Sequence, residues 1–194
     1  MSIARTKAAT YADLEAVPDN LVAEIIFGDL VTHPRPVMGH GAATNALGAM
    51  ATSSYQFGRG GPGGRVFVNE PEIHLGTHVV VPDIAAWRRE RWTAKSSDPF
   101  ITVAPEWICE GVSPSTEKYD KGPKRTIYAQ FGVGYLWFVD PRTRSLECFV
   151  LQNKEWGLKG TFFDNDTVSM PPFEEMIFSL GLLWPFDEPA AAKQ

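Results

Sequence analysis

The chain has 194 residues, 44% of them hydrophobic and 21% charged, with 17 glycines and 15 prolines. That supplies one well-cored, turn-rich domain and excludes global disorder. A formal net charge of −5 argues against a tight, non-specific DNA binder with a basic face, though not against an acidic metal site or a local basic patch.

No apolar run approaches the roughly 18 residues that a membrane helix needs. The opening MSIARTKAATYADLEAVPDN lacks the apolar stretch of a signal peptide, so a cytoplasmic location is expected. Cys109 and Cys148 lie in separate apolar segments with no CxxC spacing. They read as two buried small hydrophobes, not as a disulfide framework or a structural zinc site.

Taken in chain order, TYADLEAVPDN predicts a short helix, capped by Thr10 or Asp13 and stopped at Val17-Pro18. LVAEIIFGDLVTHP predicts a hairpin turning at Gly28-Asp29. HGAATNALGAMATSSYQF places Ala43, Leu47, Met50 and Tyr55 near helical spacing and predicts a helix packed closely on a sheet. GRGGPGG, from Gly58 to Gly64, is a flexible loop; without a GK[ST] ending or a strand leading into it, it is not a phosphate-binding P-loop.

RVFVNEPEIHLG predicts two short strands broken at Pro71. VVVPDIAAW, from Val79 to Trp87, reads as a buried strand with Asp83 at the head of its second apolar run. RRERWTAKSSDPF is a polar, exposed excursion, and APEWICEGVSPST is another apolar strand containing Glu110. DKGPKRTIYAQFG predicts a helix with Pro123 in its first turn and Gly132 as its stop. YLWFVDP and SLECFVLQ form a hairpin around Asp140 to Thr143. Short strands and turns follow Gln152, then a polar tail, DEPAAAKQ. The order predicts an α/β (α+β) fold, a mixed sheet flanked by helices, in a single domain over residues 1–194 with its core at about residues 10–185.

Alternation puts Asp83 with Ala85 and Trp87 on one strand face, and Glu110 with Ile108 and Val112 on another. Two carboxylates projecting to the same side of adjacent strands repel unless something holds them, and a divalent cation is the most economical holder. The bland alternative is that each caps a strand end or pairs with an arginine. Ser113-Pro114-Ser115-Thr116 ends the second strand abruptly, leaving Glu110 near a rim. Lys121, Lys124 and Arg125 crowd the expected first turn of the next helix, where the macrodipole disfavours cations by about 0.3–1 kcal/mol each. Such a crown suits phosphate; the alternative is a solvated turn paired with Asp120, four residues before Lys124, and Glu117. His74 and His78 flank an expected turn at Gly76-Thr77 and are not read as a zinc pair, and His33 carries no assigned role.

VPDIAAW, WICEGVSPST and DKGPKRTIYAQFGVGYLWFVDP, in this order, resemble the putative restriction endonuclease family of the PD-(D/E)XK nuclease superfamily. AEIIFGDLV resembles that family's early acidic hairpin, and His40 its histidine at the start of the following helix. The resemblance runs from about Thr10 to Pro185 and implies a restriction-endonuclease-like fold. It implies Asp83 and Glu110 as ligands of Mg²⁺ (or Mn²⁺), Lys124 as the catalytic lysine, and Glu24, His40, Asp120 and Ser113 as supporting residues. The motif's own lysine position is Val112, and Lys124 from the next helix matches the replacement seen in relatives. Leu136 stands before Trp137 where the family commonly has tyrosine. The implied activity is metal-dependent hydrolysis of phosphodiester bonds in nucleic acid, DNA before RNA, by a homodimer without a membrane partner. The alternative is a catalytically inactive fold of the same kind that binds nucleic acid or protein.

Overall fold

The computed structural model describes residues 7–186; the polar tail lies outside the described residues. After a short capped helix, α1 (Tyr11–Glu15), come β1 (Leu21–Ile26), β2 (Asp29–Pro34) and the long helix α2 (Met38–Tyr55). Four strands follow: β3 (Arg65–Asn69), β4 (Ile73–Leu75), β5 (His78–Val80) and β6 (Ile84–Arg88). Then come β7 (Trp107–Gly111), α3 (Glu117–Tyr119), a π-helical turn (Asp120–Lys124) and α4 (Arg125–Gln130). β8 (Tyr135–Asp140), β9 (Ser145–Gln152) and β10 (Glu155–Phe163) form a meander, followed by a small ribbon, β11 (Thr167–Val168) with β12 (Phe178–Ser179), and a 3-10 turn (Leu180–Leu183). No helix among the described residues is long and apolar enough to cross a membrane.

The strands form a mixed six-stranded sheet, ordered β10-β9-β8-β7-β6-β3, and a four-stranded sheet, ordered β2-β1-β5-β4. In the larger sheet β7 and β8 run parallel, joined by the α3–α4 crossover, and the other pairs are antiparallel. Its two faces bury different cores. One face sets Ile84, Trp107, Cys109 and Trp137 against α2, whose Ala43, Leu47, Ala51 and Tyr55 fall four residues apart on the buried side. Trp107, Trp137 and Phe173 meet there edge to face, with ring centroids 5.0–5.6 Å apart. The other face sets Ala85, Trp87, Ile108 and Phe138 against Ile127 and Tyr128 of α4 and against Ile26, Val31 and Val80 of the smaller sheet. Cys109 and Cys148 are buried free thiols.

Three expectations shift. The first hairpin turns at Phe27-Gly28, both with positive φ (52° and 87°), because Ile26 pairs with Asp29; Asp29 is already a strand residue. The run VVVPDIAAW is two strands in two sheets, with Val81-Pro82-Asp83 as the corner between them. Beyond Gln152 the chain makes a nine-residue edge strand, β10, whose glycines and exposed face hide its pairing with β9.

Candidate active site

The site forms where β5 leaves one sheet and β6 enters the other. Glu24, buried on β1, accepts a hydrogen bond from the Val81 amide at Oε1 (2.8 Å), which ties the corner down. Ile84 pairs with Cys109, so one step further Asp83 stands opposite Glu110. On its other side the Glu70 amide donates to the Asp83 carbonyl at 3.0 Å. The Asp83 carboxylate is clamped from two directions: the Gly111 amide donates to Oδ2 at 2.7 Å, and His40 Nε2 bonds Oδ1 at 2.5 Å. Burial of the His40 ring opposes its charging. The hydrogen bond to Asp83 and the charges of Asp83, Asp120 and Glu70 outweigh that and raise its pKa above the ordinary histidine value.

Gly111 is the residue that lets α2 reach the strand. A Cβ at Gly111 would sit 2.5 Å from His40 Nε2 and 2.6 Å from Cε1, so only glycine leaves room for the ring. Gly111→Ala is expected to push His40 off Asp83 and to lower stability by about 1–3 kcal/mol. Denaturant unfolding checks this; an unchanged midpoint would contradict it.

Glu110 and Lys124 belong to a buried charge cluster. Lys124 Nζ lies 2.9 Å from Glu110 Oε1, 3.0 Å from Glu24 Oε1 and 3.3 Å from Asp120 Oδ1. The Tyr128 hydroxyl donates to Glu110 Oε1 at 2.5 Å, and His33 Nε2 lies 3.6 Å from Glu24 Oε2. Burial alone would strip the proton from Lys124, but Glu110, Glu24, Tyr128 and Asp120 reverse that and hold its pKa well above the usual lysine value. Burial pushes the Glu110 carboxyl well up, with Lys124 opposing, and also raises Asp120. Glu24 ends below its ordinary value: burial raises it, but Lys124, His33 and the Val81 amide together win.

The helical stretch carrying Lys124 differs from expectation. It begins at Glu117, not at Asp120, and the Asp120–Lys124 turn widens to the π form. Pro123 has no N–H to give to the carbonyl four residues back, and the wider turn accommodates it. Lys121, Lys124 and Arg125 therefore do not crown a helix N-terminus. Lys124 turns inward; Lys121 pairs with Glu147 at 2.6 Å, and Arg125 lies over the Phe149 ring.

Asp83, Glu110, Lys124, His40 and Asp120 line one cleft of about 210 Å³, walled by Pro34 to Val37 on one side and Ser113 to Thr116 on the other. Ser113 stays at this rim, bonded to Ser115 and Thr116 at 3.0 Å each. Glu24 lies behind the cleft, anchoring the corner and Lys124. His74 and His78 are separately engaged: His74 with Glu72 at 2.6 Å, and His78 Nδ1 with the Phe27 amide at 3.1 Å. Gly111, Tyr128 and His33 were not anticipated. Tyr128 and Gly111 take their roles from neighbours 18 and 71 positions away in the chain (Glu110 and His40), and His33 from Glu24 on the facing strand of the first hairpin; local patterning does not report such contacts.

The donor set suits a hard divalent cation. Glu110 Oε1 carries both the Tyr128 and Lys124 contacts, while Oε2 has no hydrogen-bond partner among the described residues. Each Asp83 oxygen carries one bond and keeps a lone pair. Among the described residues no group of three or more His, Cys, Asp or Glu side chains is arranged to hold a metal. A cage of protein ligands is therefore not built, whereas two carboxylates completed by water and phosphate oxygens match Mg²⁺ or Mn²⁺.

Residues 8–181 match the model of the Uma2 family, described as putative restriction endonuclease. The fold is similar to the crystal structure of a putative nuclease belonging to DUF820 from Anabaena variabilis ATCC 29413. That match has a TM-score of 0.73 and 20% sequence identity, over 91% of this chain and 97% of that one. No curated protein matches. With a restriction-endonuclease-like mixed sheet flanked by helices and a family match over most of its length, the chain belongs to the putative restriction endonuclease family.

Proposed function

We propose that the protein is a divalent-metal-dependent endonuclease that hydrolyses phosphodiester bonds in nucleic acid, with DNA as the first substrate. The convergence of Asp83, Glu110 and Lys124 on one cleft carries this reading. Asp83 and Glu110 would hold Mg²⁺ or Mn²⁺, which polarises a phosphate oxygen and acidifies a water when bound. His40 and the Gly111 amide fix the orientation of Asp83. Lys124, catalytic in this reading, supplies positive charge beside Glu110, where negative charge develops on a phosphate undergoing substitution. The N-terminus of α2 has no side-chain cap, and its Val37 and His40 line the cleft. That end favours an anion. A two-fold dimer suits a duplex with antiparallel strands.

Cations also gather on the other side of the helical turn. Lys121, Arg125 and Lys154 line an open groove with the half-exposed Phe27 and with Trp156. Phosphate contacts there fit the reading, with base stacking on the aromatic rings. Lys121→Ala and Arg125→Ala are each expected to reduce the slope of log affinity against log salt by about 1. Fluorescence titration of labelled oligonucleotide at several salt concentrations checks this; unchanged slopes would exclude the groove.

One observation favours a non-cutting protein. Position 112 is valine, and Lys124, only 2% exposed, is already shared among three carboxylates. Incubation of supercoiled plasmid, single-stranded DNA and RNA with Mg²⁺ or Mn²⁺ separates the two. Cleavage abolished by EDTA supports the endonuclease; retention of nucleic acid without cleavage supports the binding module.

A further inference from the structure

The carboxylate of Glu110 is asymmetric. Two donors converge on Oε1: the Tyr128 hydroxyl at 2.5 Å and the Lys124 ammonium at 2.9 Å. Oε2 has no such partner among the described residues, and Glu110 lines the cleft. A carboxylate oxygen offers two lone-pair positions, so two donors on Oε1 leave it none for a metal. Tyr128 cannot easily swing aside: it is fully buried on α4, packed in the core that α4 shares with the sheet.

We infer that Tyr128 is a positioning residue that sets metal selectivity, by holding Glu110 so that it binds a cation through Oε2 alone. This rests on the proposed metal centre and deepens it. One-oxygen binding fits Mg²⁺, which demands octahedral geometry and keeps several waters. Ca²⁺ takes more oxygens and readily accepts both oxygens of one carboxylate. A hydroxyl on Oε1 therefore discriminates against Ca²⁺ without touching it. Lys124 alone does not fix this geometry, because its ammonium is divided among three carboxylates.

The test is calorimetric titration of Mg²⁺ and of Ca²⁺ into the native protein and Tyr128→Phe, with thermal unfolding of both metal-free proteins. Phenylalanine keeps the ring in the core and removes only the hydroxyl. The expected result is a ratio of Ca²⁺ to Mg²⁺ affinity raised about tenfold or more in the variant, because Oε1 becomes available. A loss of packing alone would lower both affinities together and leave the ratio unchanged, which would overturn the inference. If the native protein binds neither ion, the metal centre itself falls and this inference with it. Independently of the variant, a crystal structure of the native protein soaked with Mn²⁺ should show the ion on Oε2 with Tyr128 still on Oε1. An ion shared between both oxygens would refute the assignment even if Tyr128→Phe does not fold.

Discussion

Lys124→Met is expected to lower the unfolding free energy by about 3–5 kcal/mol, the usual cost of removing one partner from a buried ionic cluster. The substitution preserves length and apolar volume, so the loss isolates the charge. Glu24, Glu110 and Asp120 would remain buried without their shared ammonium, since Lys124 contacts all three at 2.9–3.3 Å. The sign of the pH dependence follows. Burial already raises the Glu110 and Asp120 carboxyls with Lys124 opposing it; without Lys124 that rise grows, so these two groups favour folding while protonated and oppose it once ionised. The deficit relative to the native protein is therefore smallest in acid and grows as pH rises through the carboxylate range. Urea unfolding at a series of pH values measures this. A deficit under about 1 kcal/mol at neutral pH, as for an exposed pair, would mean that Lys124 does not hold the cluster together.

The second large effect separates stability from function. Glu110→Gln removes one negative charge from a cluster in which three carboxylates face one ammonium, and leaves Lys124 paired with Glu24 and Asp120. Stability is expected to hold or rise, since burial already penalises the ionised Glu110. If Glu110 is a metal ligand as proposed, cleavage is expected to fall at least 100-fold, because removing a ligand costs no less than removing the groups that support ligands, about 10–100-fold. Asp83→Asn should lose activity similarly while keeping a polar group between His40 and the Gly111 amide. Parallel losses of stability and activity in Glu110→Gln would indicate a structural carboxylate instead.

Local patterning made much of this fold legible. The β8–β9 hairpin, α2 and the apolar strand β7 follow from periodicity and turn residues within a few positions, and all three stand where those signals put them. The switch between sheets at Val81-Pro82-Asp83 was not legible, because one apolar run can serve two sheets and only distant pairing partners decide. The candidate site shows the same division. Asp83 and Glu110 announce themselves as carboxylates within apolar runs, where a charge demands a reason. The burial of Lys124 does not: its sequence neighbours Lys121 and Arg125 are more exposed, and the π turn at Pro123 turns Lys124 inward. Gly111 carries no local signal between Glu110 and Val112; its requirement comes from the His40 ring, which occupies the place a side chain would take.

Titration of Mg²⁺ and Mn²⁺ into the native protein, Asp83→Asn and Glu110→Gln, followed by calorimetry, decides whether the two carboxylates form a metal centre. Binding to the native protein is expected to disappear in both variants while each remains folded. Metal binding that survives both substitutions, or a native protein that binds neither ion at millimolar concentration with oligonucleotide present, would contradict it.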